Sequence, residues 1–208
     1  MKVEKFLTKE DKDLISKVVS EVEKTTTGEI VPMVVGASDT YPAASWRIAI
    51  VFALLLTSFF YLLFPFLDIL VYLLFEIPAI FLGHFLVQVP GLKRWFLTRN
   101  EVDQEVLQRA MQGFLDNNLH ATEQRNGVLI FVSLLEHRVH ILADKGVNDV
   151  VPPGTWDEIV MNLINHIRKN EVQEGFCKAI EACGEILKKH FPKTKENQNE
   201  LSNKLVVE

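Results

Sequence analysis

The side chains best suited to chemistry in this chain lie close together in sequence: Glu136-His137-Arg138, with Asp144 eight residues beyond Glu136. Carboxylate oxygens suit hard cations such as Ca or Mg, and an arginine fork matches phosphate or carboxylate. The pattern therefore nominates Glu136, Arg138 and Asp144 as catalytic residues, and Asp144 and Glu136 as ligands for a divalent ion. A competing reading is stronger. A charged turn is what solvent exposure alone produces, and Arg138 would then pair with Glu136 or Asp144 to fix a hairpin. Thr122, Arg125 and Asn126 form a second polar turn that could receive an anion. His120, His137, His140 and His166 have neither HxxxH nor HExxH spacing, which argues against zinc. Cys177 and Cys183 lie six residues apart, neither a CxxC pair nor a metal pattern, and fall on different faces of a helix. There is no glycine-rich phosphate loop and no GxSxG.

The elements that must position these groups are legible from periodicity. Asn126-Gly127 is a turn signal, and the apolar run 128–134 reads as a strand covered on both faces. Val139 to Ala143 alternates as its hairpin partner, and Gly146 is available for positive φ where the chain leaves the sheet. Upstream, Thr8 and Asp11 make a capping-box-like start to an amphipathic helix running to Lys24, with Leu14, Ile15, Val18, Val19 and Val22 on its apolar stripe. Glu29 to Val35 is a strand that Pro32 moves toward an edge or a bulge. Asn100 can cap a helix to about Asn117, with Val102, Val106, Leu107, Ala110 and Phe114 buried. Two further helices are expected over 155–169 and 171–189, then a polar tail from Pro192 to Asn203, after which Leu205-Val206-Val207 could dock. The order helix, strand, helix, strand, strand, helix, helix defines an α/β sandwich with a small mixed sheet.

The sandwich is interrupted. From Ile48 to Leu67 there are 20 consecutive residues without a charge, roughly 30 Å of helix and enough to cross a bilayer core. Ile69 to Val89 is equally apolar except for Glu76 and His84, and the five residues Phe64 to Asp68 leave room only for a tight turn. This is the pattern of a transmembrane helical hairpin. A carboxylate at the depth of Glu76 costs about 3 kcal/mol or more unless protonated or paired. His84 or a subunit contact is the expected partner, with a proton relay the less favoured role. Arg47, Lys93, Arg94 and Arg99 flank the spans, whereas the turn carries only Asp68, so positive charge places both termini and the soluble part in the cytoplasm. Trp46 and Trp95 mark the same interface, and Trp46, Glu76, His84 and Trp95 are the expected membrane-contact residues. The first 24 residues are charged throughout, and no secretory leader is expected.

The expected organisation is thus a first part of the α/β domain over 1–45, the hairpin over 46–92, a second part over 93–191 and a polar tail over 192–208. A net charge of −5 and the absence of a basic stripe argue against nucleic acid. The partners implied are the lipid bilayer and either a membrane protein or further copies of the chain.

Asn126 to Ser133, the turn Leu135 to Arg138 and the run Val139 to Gly146 resemble the central signature of the TPM-domain family. That family is named for a thylakoid lumen protein, a photosystem II repair protein and a nematode acetylcholine-receptor modulator. Thr27-Gly28-Glu29-Ile30 with the strand to Val35 matches its opening element, and Trp156 with the segment ending in Phe176 matches its closing part. The resemblance implies a three-layer α/β/α sandwich, often tethered to a membrane. Reported family roles are acid phosphatase activity, metal or calcium binding, and help in assembling or repairing membrane complexes. This chain departs in having an internal hairpin, and in carrying Leu134-Leu135-Glu136 where many members have paired aspartates. The expectation is a membrane-anchored accessory domain in the inner (plasma) membrane, with a metal-assisted acid phosphatase as the alternative.

Overall fold

The computed structural model describes residues 3–86, 97–193 and 200–208. Its elements are α1 (Lys9–Glu23), β1 (Glu29–Val35), α2 (Pro42–Leu63), α3 (Ile69–Leu86), α4 (Arg99–Asp116), β2 (Gly127–Ser133), β3 (Arg138–Ala143), α5 (Lys145–Asn148), α6 (Asp157–Arg168), α7 (Val172–His190) and β4 (Val206–Val207). The chain divides into two compact units, residues 1–38 with 104–208, and residues 39–103.

In the first unit the sheet runs β3-β2-β1-β4. β1 is parallel to β2 and to β4, and β2 is antiparallel to β3. Every residue of β1 and β2 is buried, as their unbroken apolar runs require. Ile30, Val34, Val128, Ile130 and Val132 face a core closed by α1, α6 and α7, through Ile15, Leu163, Phe176 and Ile180 among others. The opposite face meets α4, where a Cβ on Gly113 would lie 2.4 Å from Met33 Sδ. Helices on both faces of a mixed sheet make the expected three-layer α/β/α sandwich.

The local chemistry explains most boundaries. Thr8 and Asp11 form a complete capping box on α1, and Leu14 alone of its expected stripe is exposed. Two expectations are corrected and a third is made specific. β1 is not an edge strand, although it carries Pro32. Alternate amides point to the same side, and the Gly36 N–H donates to Glu208 C=O, so the missing Pro32 donor faces the β4 side, just before pairing with β4 begins at Met33. The cap of α4 is Thr98, which exchanges hydrogen bonds with Glu101, leaving Asn100 inside the helix. The end of the polar tail is a strand: the Glu208 N–H donates to Val34 C=O at 3.1 Å, and Glu29 accepts from the Glu200 and Leu201 N–H groups.

The second unit is a helical pair. Ala49 and Ala53 on α2 and Ala79 and Gly83 on α3 are buried. A Cβ on Gly83 would lie 3.0 Å from Ala49 Cα, so glycine here permits a close helix approach. Trp46 stacks on His84, with ring centroids 4.4 Å apart, and Arg47 makes two 2.8 Å bonds to Glu101. Hydrogen bonds from Arg47, and then from Thr98, hold the Glu101 carboxyl down at about 2. Lys93, Arg94 and Trp95 lie outside the described residues.

Candidate functional site

Asp144 sits where β3 ends. Its N–H donates to Gly127 C=O at 2.9 Å, locking it beside the first residue of β2. Its carboxylate accepts from Arg125 Nε at 2.5 Å and Nη2 at 2.9 Å, and from the Lys145 N–H at 2.7 Å, which caps α5. The side chain is 6% exposed, whereas that of Arg125 is 52% exposed. Burial works to raise the Asp144 pKa, but the hydrogen bonds from Arg125 and Lys145 outweigh it and hold the carboxyl below its ordinary value. The positive pole of His120 adds to them. Two features allow the pair to form. Arg125 adopts a φ of 52°, turning the backbone so that its guanidinium reaches back. Gly146 leaves space, since a Cβ there would meet Gln124 O at 2.5 Å and Arg125 O at 2.7 Å. Gly146 is thus needed for close approach and not for positive φ.

Glu136 is also buried, at 5% exposure, which corrects the expectation of a solvated tip. It accepts from the Ser133 hydroxyl and from the Ser38 N–H at 3.0 Å, tying the β2–β3 turn to the chain leaving β1. His137 takes a φ of 52° in that turn, and Arg138 opens β3 opposite Ser133.

Glu136 and Asp144 are therefore not brought together. Glu136 precedes β3 and Asp144 follows it, so a six-residue strand, roughly 20 Å long, separates them. They cannot share a Ca or Mg ion, and Arg125 takes the place expected of Arg138 as the partner of Asp144. With three hydrogen bonds already made to it, the Asp144 carboxylate has little capacity for a metal or a substrate. These bonds hold the β3–α5 corner against the start of β2.

The second polar turn is inward-facing. Thr122 accepts from the Asn126 N–H at 3.1 Å, and the Asn126 amide donates to Thr27 C=O at 2.8 Å. Both residues are buried and join the start of β1 to the start of β2, so Thr122, Arg125 and Asn126 do not form an open anion cradle. Beside them Glu23 accepts from the Ile30 N–H at 3.0 Å. Burial, aided by the charge of Glu29, pushes the Glu23 carboxyl up to about 8. Glu29 is raised by burial too, against the two amides it accepts.

One cluster escaped the sequence reading. His166 Nδ1 lies 2.9 Å from Glu171 Oε2, and Glu174 completes a group whose ligand atoms are all within 4.8 Å. The signal is H-x4-E-x2-E spanning Asn170, whose φ of 60° reverses the chain between α6 and α7. Lys178 Nζ is already seated there, 2.7 Å from Glu174 Oε1 and 3.4 Å from His166 Nε2. Of the expected membrane-contact residues, His84 stacks on Trp46 and does not pair with Glu76, which lines a groove with Tyr61 and Tyr72.

With this geometry in hand, comparison with known proteins agrees with the architecture. A family model, the TPM domain, matches residues 91–186. Over those residues the chain is similar to the TPM-domain family. The NMR structure of BA42 protein from the psychrophilic bacterium Bizionia argentinensis is similar in fold, with a TM-score of 0.63 at 24% identity, over 100% of this chain and 99% of that one. Among curated proteins, no match is found.

Proposed function

We propose that this chain is a membrane-anchored TPM-domain interaction module, accessory to the assembly, repair or stability of a membrane protein complex. The observation that carries this reading is the cover its hairpin lacks. α2 and α3 are both long and apolar enough to cross a membrane, yet only 17% and 11% of their most apolar windows are buried. Large apolar side chains such as Leu55, Leu62, Ile69 and Phe85 face outward, and hydrocarbon is the solvent in which such a surface is stable. The membrane is the inner (plasma) membrane, with the TPM domain and both termini on the cytoplasmic side, by the flanking positive charge. Saturation of Asp144 by Arg125 and Lys145 supports a binding role over a catalytic one.

The test is purification in mild detergent, identification of co-isolated proteins, and a phosphatase assay on the same sample with and without calcium or magnesium. The expected result is a stoichiometric membrane-protein partner and no turnover. Metal-dependent turnover that disappears in Asp144→Asn, with the fold intact, would overturn the proposal in favour of a metal-assisted acid phosphatase.

A further inference from the structure

Six or seven residues from the turn, the apolar pattern is broken at one depth on both helices of the hairpin. Thr57 and Ser58 lie seven and six residues before Phe64, and Glu76 lies seven after Ile69, so the turn brings them level. The structure places them, with Tyr61 and Tyr72, on the wall of a groove of about 550 Å³ on the helical pair. Two of the hydroxyls are committed to their own backbone: Ser58 donates to Leu54 C=O at 2.7 Å, and Tyr72 to Phe64 C=O. Thr57 Oγ1 is buried with no hydrogen-bond partner among the described residues. Glu76 likewise has neither a hydrogen bond nor an ion pair among them.

We infer that this groove receives a transmembrane helix of a different protein, one that carries a lysine or arginine at mid-membrane depth to pair with Glu76. The inference rests on the membrane reading above and names the chemistry of the partner. Charge complementarity selects the occupant. A lone carboxylate in hydrocarbon is relieved by a counter-charge, and the low dielectric makes that pairing strong and selective. The occupant is not a second copy. Between Ile48 and Val89 the chain has no lysine or arginine, so a copy would bring no such counter-charge to Glu76. A tyrosine-walled groove also offers aromatic faces to the stem of a basic residue.

The experiment uses the full chain, fluorescently labelled and reconstituted in phosphatidylcholine vesicles. It is mixed with acceptor-labelled, leucine-rich transmembrane peptides carrying Lys, Gln or Leu at the central position. Energy transfer is expected with the Lys peptide at about tenfold or more lower peptide density than with the Leu peptide. Glu76→Gln should abolish that preference and Glu76→Asp should keep part of it. Equal transfer with all three peptides overturns the inference. So does Glu76-dependent transfer between labelled copies of the chain that exceeds transfer to the Lys peptide. Failure of the chain to remain with the vesicles on flotation would instead overturn the membrane reading itself.

Discussion

Asp144 and Arg125 show how a residue with the composition of a catalytic group becomes a fastener. The register of the β2–β3 hairpin sets Val128 opposite Ala143, which brings Asp144 beside Gly127, two residues from Arg125. The sequence singles out both residues but offers Arg138 as the partner of Glu136 or Asp144, because the approach of Arg125 depends on the register beyond the strand end. Asp144→Ala removes a cap and the guanidinium's partner, and should lower stability by about 1–2 kcal/mol in chemical denaturation. The pH dependence follows from the direction of the shift. A carboxyl held below its ordinary 3.8 contributes stability that is present above that value and is lost as pH falls through the folded-state pKa. Asp144→Asn should therefore flatten the acid limb of a stability profile. Glu23 acts in the opposite sense. Its pKa rises from 4.5 to about 8, so the folded protein keeps a proton that the unfolded chain has released. Stability falls as pH increases between those values and levels off beyond them. Glu23→Gln should remove most of that slope in melting temperature measured from pH 5 to 8, and an unchanged slope would assign it elsewhere, Glu29 first.

At the scale of elements, the hairpin depends on small residues. Gly83→Val would drive a branched side chain against Ala49 backbone and the Phe52 ring, both at 3.0 Å from the Cβ position. The expected cost is about 1–3 kcal/mol, read as an earlier unfolding midpoint in detergent with the TPM domain's own transition unchanged. Elements with a strong local signal were legible beforehand. The bounds of β1 follow from seven residues of β-branched and apolar character, and α1 from its capping box. The start of α4 was displaced because Thr98 and Asn100 are both competent caps, and only the Glu101 side chain reaching back to Thr98 decides between them. β4 gave the weakest signal of all. Two valines in a polar stretch are a strand only because β1 offers them an open edge, and that edge belongs to residues more than 160 positions earlier. Long-range pairing of this kind leaves no periodicity in the sequence.

At the scale of the molecule, the orientation in the membrane is open to direct measurement. A single accessible cysteine at Asp68→Cys, in a Cys177→Ala, Cys183→Ala background, should react with an impermeant thiol reagent only from the non-cytoplasmic side. Reaction from the cytoplasmic side alone would reverse the topology argued from Arg47, Lys93, Arg94 and Arg99. The sheet order has a consequence for synthesis. β1 is made before either of its neighbours: the hairpin emerges next, then β2, and β4 much later. For all of that interval a largely apolar strand has both edges unpaired, while the most hydrophobic stretch of the chain leaves the ribosome soon after it. On the membrane reading proposed above, the hairpin would reach the bilayer before the sheet is complete. A chain whose targeting is delayed would expose β1 and the hairpin together, which is the combination most prone to aggregate.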